Sequence, residues 1–188
     1  IPDSVTCISK RAFSCCYNLM SIALPSGLTA IEPGTFELCN SLTSIAIPDS
    51  ITTIAEDAFV SCKALQSFTL SPNHPYFFLA DGALCRTVDN TLLFYPNVRE
   101  NRTYRIPDGI AAISAYAFYD CDLLESVVIP DSITQIPERA FYGCSALASV
   151  SLPDSLTEIV IAAFSFCAAL TDIRLPASIT EISAGLFS

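Results

Sequence analysis

The sequence "IPDSITTIAEDAFVSCKALQSFTL", residues 47–70, returns at residues 129–152 as "IPDSITQIPERAFYGCSALASVSL", which indicates a repeat protein. Fifteen of the 24 positions are identical. The kept positions are a proline, an Ala-Phe pair, a cysteine and spaced Ile and Leu residues. A pattern of this kind indicates units that stack on one another, with the kept residues facing a shared core and the variable ones facing solvent.

The same pattern extends along the whole chain with a nearly constant period. Units begin at residues 1, 24, 47, 70, 106, 129, 152 and 175, so the spacing is constant except for one longer step, between 70 and 106. Recurring apolar positions form columns, of which the phenylalanine column is Phe13, Phe36, Phe59, Phe118, Phe141, Phe164 and Phe187. A fixed period of this length is typical of a solenoid, so residues 1–188 are interpreted as a single solenoid.

Each unit is too short for more than small elements. The spacing of "LTSIAIP", residues 42–48, puts large apolar residues inward and small ones outward, which predicts a short strand ended by proline. The inward residues are Leu42, Ile45 and Ile47, and the outward ones are Thr43, Ser44 and Ala46. The β-branched "SITTI", residues 50–54, predicts a second extended segment. The eight residues "AEDAFVSC", 55–62, leave room only for a short helical or 3-10 turn. The predicted fold class is an α/β-type solenoid made mostly of short strands.

The string [IL]-P-x-S-[ILV]-T-x-I-x-x-x-A-F-x-x-C-x-x-L-x-x-[IV]-x resembles the 23-residue leucine-rich repeat of BspA-type surface proteins, over nearly the whole chain. The resemblance implies a leucine-rich repeat right-handed superhelix. It also implies an extracellular or cell-surface location and a role in adhesion, because several proteins of that family are described as adhesins for host matrix proteins. The repeat fold alone does not name a ligand.

The 13 extra residues fall in a variant unit at residues 71–105, which lacks the Ala-Phe and Leu columns. Its strand-like runs "YFFLA" (76–80) and "ALCRT" (83–87) are joined by Asp81-Gly82, a strong hairpin signal, and "TLLFY" (91–95) follows. The family resemblance includes a similar variant unit. We expect an inserted β-hairpin that projects from the edge of the solenoid, on a face commonly used for contact.

This variant unit carries the candidate partner-binding residues. Arginine and aromatic residues are the typical hot-spot types of protein interfaces, and the arginines reverse the sign of charge locally on an acidic chain, which would steer an acidic partner. The alternative is that the aromatic residues fill a small core under the hairpin. The candidates, with the outward strand positions on either side, are Arg99, Arg102, Arg105, Tyr76, Tyr95, Gln66, Thr69 and Glu125.

The chain has nine cysteines, which could form disulfides or bind a metal ion. Equivalent residues of successive units lie on neighbouring coils about 4.8 Å apart, so disulfides along the column of Cys39, Cys62, Cys121, Cys144 and Cys167 are conceivable. A stack of buried free thiols is the simpler interpretation, and oxidation involving Cys7, Cys15 or Cys16 is an alternative. Metal is disfavoured because no C-x-x-C pair occurs and the only histidine, His74, lies in a "PNHP" loop expected to be flexible.

An aspartate follows the repeat proline in several units, and stacked carboxylates of this kind could bind calcium. This column comprises Asp3, Asp49, Asp108, Asp131 and Asp154, but is broken by Ser26 and Ala177 and has no glycine-rich loop. Capping of nearby backbone amides by these side chains or the following serines is the favoured interpretation. No cofactor is predicted.

Composition excludes several functional classes. The formal net charge of −10 opposes nucleic-acid binding. The longest nearly apolar run, residues 159–170, is shorter than the roughly 20 residues that cross a bilayer. No nucleophile beside a base and no phosphate-binding glycine loop is apparent, so an enzyme is only a minor alternative. Because the chain starts inside the repeat, we expect a fragment of a longer protein whose targeting signals are not shown.

Two hypotheses about function follow. The first is a cell-surface or secreted recognition module that binds a protein, such as a host matrix protein, or an acidic glycan. The second is a passive spacer that presents another domain. The outward strand residues are mostly small and weakly polar, which favours the spacer or weak adhesion through many repeats.

Overall fold

The computed structural model describes residues 1–98 and 100–188, which wind into successive coils of a solenoid. The strands in these residues are short. They are β1 (Ala30–Ile31), β2 (Ser44–Ala46), β3 (Thr53–Ile54), β4 (Ser67–Thr69), β5 (Phe77–Ala80), β6 (Ala83–Arg86), β7 (Thr91–Phe94), β8 (Thr103–Arg105), β9 (Ala112–Ile113), β10 (Ser126–Val128), β11 (Gln135–Ile136), β12 (Ser149–Ser151) and β13 (Glu158–Ile159).

The strands form parallel ladders between neighbouring coils. Three-residue strands pair β2 with β4, and β10 with both β8 and β12. Two-residue strands pair β1 with β3 and β11 with β13. Ile45 lies opposite Phe68, its equivalent in the next unit, so the sequence period is the register of the ladder. Both side chains are buried while Ser44 and Ala46 are exposed, which confirms the predicted alternation.

The Ala-Phe stretch forms tight turns. Within residues 1–98 and 100–188 there is no α-helix or 3-10 helix, so the helical part of the predicted fold class is not confirmed. The amides of Phe36 and Leu38 donate to Ala58 and Val60 of the next coil, both at 2.9 Å, and Leu38 has a φ of 61°. Amides committed to a neighbouring coil, beside a left-handed residue, cannot continue a helical ladder. Likewise, no helix able to span a bilayer occurs in the part of the chain described.

The phenylalanine column fills the centre of the coils with stacked rings. Phe141 is fully buried, and its ring centroid lies 4.6 Å from that of Phe118 and 5.2 Å from that of Phe164, with interplanar angles of 13° and 7°. The column ends at Phe187, which is 45% exposed. Offset stacking of this kind adds to the energy of burial, so the inner members of the column are expected to matter most.

The cysteine column is buried, as predicted, and its thiols have a specific hydrogen-bonding role. Each Sγ donates to the carbonyl of an aromatic residue one coil back in the solenoid. The distances are 3.1 Å from Cys62 to Phe36 and 3.0 Å from Cys144 to Phe118. A cysteine therefore suits this position because it is small, apolar and able to satisfy a carbonyl of the preceding coil. All nine cysteines are free thiols in the structure.

Thiol labelling under native conditions should separate the buried cysteines from the exposed ones. Cys7 and Cys15 are exposed and should react quickly with a maleimide, whereas Cys62 and Cys144 should react only after unfolding. Burial raises the pKa of both column thiols above their usual value, which lowers the thiolate fraction further. Mass spectrometry of peptides from protein labelled without reductant provides the measurement. Disulfide-linked peptides from neighbouring coils would contradict it.

The hairpin predicted in the variant unit is present. β5 and β6 pair antiparallel, and the turn residues Asp81 and Gly82 have φ values of 46° and 80°, as a type I′ turn requires. The hairpin does not stand free of the solenoid. β6 also pairs with β7, and β7 pairs in parallel with β9 of the next coil, which gives a four-stranded sheet.

This four-stranded sheet divides the hydrophobic core. Leu84 and Phe94 belong to the cluster formed by the N-terminal coils, whereas Cys85, Leu92 and Tyr95 belong to the cluster formed by the C-terminal coils. Leu84 and Cys85, which are adjacent in β6, thus face different clusters, as the alternation of a strand requires. The hairpin is therefore a partition between two cores and not a surface addition.

Next to the turns of the Ala-Phe stretch, the third coil contacts the fifth coil directly. The hydroxyl of Ser61 donates to the Asp120 carboxylate at 2.7 Å, and Lys63 Nζ lies 3.3 Å from the Asp122 carboxylate. These bonds link coils on either side of the variant unit. They tie the two halves of the solenoid together across the variant unit.

Candidate functional site

The candidate site is the strand face, defined as the outward side chains of β2, β4, β8, β10 and β12 together with the residue before each strand. Alternation points one residue of each strand into the core and its neighbours outward, so Tyr104 of β8 is buried while Arg102 and Arg105 are exposed. Gln66 and Thr69 hold the corresponding exposed positions at β4. β4 and β8 belong to separate sheets, so the ladder is interrupted where the candidate residues cluster.

The two arginines of this face that the structure describes are ion-paired with carboxylates. Arg102 lies 2.8 Å from Glu125, one coil away, and Arg105 lies 3.1 Å from Asp108. All four side chains are about half exposed or more. The expected local excess of positive charge is therefore not found at these two arginines, because each has an acidic neighbour. Exposed pairs of this kind contribute roughly 0–1 kcal/mol, so a partner carboxylate could replace the internal one at little cost.

The remaining candidate residues of the described chain do not lie together on the strand face. Tyr76 is 43% exposed at the base of the hairpin, away from the strand ladder. Tyr95 is not available to a partner, since it is 4% exposed and its ring stacks on Phe118 with centroids 5.2 Å apart. It takes the place of a phenylalanine in the core column, which is the alternative that the sequence left open for the aromatic residues. Arg99 lies outside the described residues.

Sequence reasoning misjudged His74. It was expected in a flexible loop, but it is 7% exposed and its ring joins the hairpin to the third coil. Nε2 lies 3.0 Å from the Pro48 carbonyl, and Nδ1 lies 3.3 Å from the amides of Tyr76 and Phe77. These contacts fit the neutral tautomer in which Nε2 donates and Nδ1 accepts. His74 is an anchor of the inserted segment, and its position between two prolines was the only signal in the sequence.

A second anchor lies at the same end of the hairpin, where Arg86 pairs with Phe77 across the two strands. Arg86 forms a bidentate pair with Asp89, with Nη2 2.6 Å from Oδ2, and Asp89 also accepts a bond from the Thr91 amide. The hydrogen bonds from Arg86 hold the pKa of the Asp89 carboxyl at about 2, well below its usual value. This carboxylate stays ionised at any physiological pH. It fixes the turn between β6 and β7.

The serines after the repeat proline do not cap local amides as expected. Ser50 Oγ donates to the Leu28 carbonyl and Ser132 Oγ to the Ile110 carbonyl, both at 2.6 Å and both in the preceding coil. The serine column therefore links coils, since its partners lie almost a full period earlier in the chain. Within residues 1–98 and 100–188, no group of three or more His, Cys, Asp or Glu side chains is placed to hold a metal ion.

Comparison with known proteins identifies the family to which this architecture belongs. The family model "BspA type Leucine rich repeat region" matches in six copies over residues 1–79 and 93–188. The unmatched residues, 80–92, include β6 and the turn into β7. No curated protein matches the chain. The unmatched residues thus lie within the variant unit and include β6, one of the strands that separate the two core clusters.

Several solved structures share the fold. A leucine-rich cell surface protein from Faecalibacterium prausnitzii A2-165 is 30% identical, with a TM-score of 0.73 over 96% of this chain and 60% of its own. The pneumococcal vaccine antigen PcpA is 20% identical, with a TM-score of 0.82 over 95% of this chain and 50% of its own. A leucine-rich repeat protein of T. pallidum is 23% identical, with a TM-score of 0.54 over 92% of this chain and 77% of its own.

The chain spans 60% and 50% of the length of the first two of these proteins. PcpA and the T. pallidum protein are similar in fold alone at their level of identity. The family match, in contrast, covers nearly all of the coils, and its repeat is the register of the parallel ladders. On these grounds the chain belongs to the BspA-type leucine-rich repeat family.

Proposed function

We propose that the chain is a protein-recognition module of a bacterial cell-surface protein, and that it contacts its partner through the strand face beside the hairpin. Membership of the BspA-type family supports this, as does the similarity to a protein described as a leucine-rich cell surface protein. An extracellular location is part of the same proposal. Catalysis is not part of it.

One observation carries the proposal. Elsewhere the strand face presents mainly small side chains, such as Ala46 and Ser149, but at β8 and the residues beside it the face presents Arg102, Arg105 and Glu125. Long side chains with charged ends are the parts of this surface that can reach a partner and discriminate between partners. The change in residue type occurs where the ladder is interrupted, next to the inserted hairpin.

The charges of this face favour a protein over an acidic glycan. Glu125 and Asp108 lie within 3.1 Å of the two arginines, so a sulfate or carboxylate polymer would meet negative charge wherever it met positive charge. A protein surface can offer a carboxylate to an arginine and a basic group to the displaced acid. Single contacts of this kind are weak, and repeated modules would raise the overall binding through avidity.

Binding to purified matrix proteins tests the proposal. The double variant Arg102→Ser/Arg105→Ser should bind an immobilised panel of such proteins about tenfold more weakly than the parent, with an unchanged Tm, because exposed ion pairs add little stability. Arg11→Ser/Arg139→Ser is the matched control, since these arginines are also exposed and ion-paired but lie on the turn side of the coils. Adding Arg99→Ser tests the third predicted arginine.

The alternative function is a passive spacer, which the small strand-face residues of β10 and β12 favour. Equal binding by the double variant and its control would contradict the proposed contact surface. If no protein of the panel binds the parent chain, the spacer becomes the better interpretation. Heparin in the same assay provides the comparison with an acidic glycan.

A further inference from the structure

The inserted hairpin leaves one strand of the four-stranded sheet with an unpaired edge. The strand order is β5, β6, β7, β9, so β5 pairs with β6 on one side, and no other strand in residues 1–98 and 100–188 pairs with its second side. Such an edge presents backbone N–H and C=O groups to any extended chain that can reach it. We call the outward backbone groups of β5 and the hollow beside them the hairpin edge.

The hydrogen bonds of the hairpin show which backbone groups of β5 point outward. The Thr87 amide donates to the Tyr76 carbonyl at 2.9 Å, so the groups of Tyr76 point toward the partner strand. Alternate residues bond on opposite sides, so those of Phe77 and Leu79 point away from it. The Phe77 amide is used, since it lies 3.3 Å from His74 Nδ1. The Phe77 carbonyl and both backbone groups of Leu79 have no hydrogen-bond partner in the part of the chain that the structure describes.

A hollow of about 580 Å³ runs beside these unpaired groups. Its walls include Leu70, Pro72 and three consecutive residues of β5, Phe77, Phe78 and Leu79. Consecutive residues of a strand point to opposite faces, so a hollow that all three line lies along the edge of the strand. Its described walls contain no Asp, Glu, Lys or Arg side chain. The hollow therefore suits an apolar side chain that is carried on an extended backbone.

The strand itself lacks the features that usually protect a sheet edge. Natural edge strands are often blocked by a charged residue, a proline or a bulge. β5 has the sequence Phe-Phe-Leu-Ala, and its register with β6 runs without a shift. The side chain of Leu79 is 40% exposed. An unprotected apolar edge beside an apolar hollow indicates a site where a further strand adds.

The charges around the hairpin edge indicate which kind of chain adds there. Asp81 follows β5 directly and is exposed, and the exposed Asp49 accepts a bond at 2.6 Å from Ser71, which lines the hollow. The nearby Arg86 is neutralised by its pair with Asp89. A basic segment is therefore attracted. A second copy of this chain would bring the same carboxylates and a net charge of −10, which opposes pairing of β5 with β5.

We propose that the hairpin edge binds an extended, basic segment of another protein by strand addition. The backbone of the segment bonds to the Leu79 amide and carbonyl and to the Phe77 carbonyl. One apolar side chain enters the hollow, and Lys or Arg residues on either side of it lie near Asp49 and Asp81. In this mode the backbone bonds provide affinity and the hollow provides specificity. The site shares no residue with the strand face, so the inference does not depend on the contact proposed there.

Titration of the isotope-labelled chain with a synthetic peptide tests this inference by NMR. The probe is a capped peptide in which valine and threonine alternate between terminal lysines. The Leu79 amide should shift in a saturable way, with a Kd of about 1 mM or below. The same peptide with N-methyl groups on its central amides keeps its side chains but cannot donate to β5, so it should bind about tenfold more weakly. A peptide with glutamates in place of the lysines should also bind more weakly.

Two variants at one position separate the backbone from the side chain. Leu79→Ala shortens the exposed side chain and keeps the N–H group. Leu79→Pro also removes the N–H group, and a proline is compatible with an edge strand where that group faces outward. Leu79→Pro should therefore bind the lysine peptide about tenfold more weakly than Leu79→Ala does.

Absence of a saturable shift at Leu79 up to about 5 mM peptide would overturn the inference. Equal binding of the parent and N-methylated peptides, or of the lysine and glutamate peptides, would also overturn it. Leu79 shifts that depend on protein concentration without peptide would show that a second copy occupies the edge, against the proposal. The peptide comparisons do not depend on any variant folding. The matrix-protein assay uses Arg102 and Arg105 variants, so either proposal can fail while the other stands.

Discussion

Replacing Phe141 by alanine is expected to lower the free energy of unfolding by about 3–5 kcal/mol. The side chain is fully buried and stacks between Phe118 and Phe164, with ring centroids 4.6 and 5.2 Å away. The variant therefore loses the burial of a large aromatic group and leaves a cavity that the rings on both sides cannot fill, because the backbone bonds between coils hold them at fixed spacing. Urea denaturation in the presence of reductant provides the measurement.

The matched control is Phe187→Ala. It makes the same chemical change in the same column, but Phe187 is 45% exposed and stacks on a single ring of the described residues, Phe164, with centroids 6.1 Å apart. Its cost should be about 1 kcal/mol or less, since little apolar surface leaves water at this position. Equal costs for the two variants would mean that the stacked column is not the main source of stability. That result would contradict the core described above.

The second large effect is a loss of stability at alkaline pH. Burial raises the pKa of the Cys39 thiol to about 11 and that of Cys85 to about 12, and it raises the pKa of Cys62 and Cys144 as well, from an ordinary value of 9.0. Their stabilisation is complete below about pH 9 and is lost as the pH rises toward the folded values, because only the unfolded chain then releases the protons. Between pH 9 and 10 each fully buried thiol should cost about 1 kcal/mol.

Thermal unfolding at pH 8, 9 and 10 with a phosphine reductant measures this effect. The slope of stability against pH should be shallower in Cys62→Ala/Cys144→Ala than in the parent, whatever the absolute stability of that variant. Burial also raises the pKa of Tyr119, to about 12, but an ordinary tyrosine titrates near 10, so the interval just above pH 9 reports mainly the thiols. Identical slopes in the variant and the parent would show that the column thiols do not control the alkaline transition.

The sequence predicted the elements that depend on local rules or on the repeat. Ile45 opposite Phe68 follows from the period, and the Asp81-Gly82 turn follows from the positive φ that a type I′ turn needs. The turns of the Ala-Phe stretch were missed because they depend on bonds to the next coil. Leu38 and Ser61 have φ values of 61° and 57° although neither is glycine, and no local rule predicts this.

The site was predicted less well than the fold, although the period itself contained part of the answer. Tyr95 stands one full period before Phe118, which identifies it as a member of the core column and not as a contact residue. Arg102 likewise stands one period before Glu125, so their ion pair follows from the repeat.

The division of the core by the hairpin has a consequence for how the molecule opens. In a solenoid, each unit is stabilised by its neighbours, and a defect normally spreads along the stack. Here Phe94 and Leu84 complete one cluster and Leu92 and Cys85 complete the other, so we expect the two halves to unfold as separate cooperative units. A substitution that removes Phe141 should therefore increase amide hydrogen exchange in the C-terminal coils and leave the N-terminal coils protected.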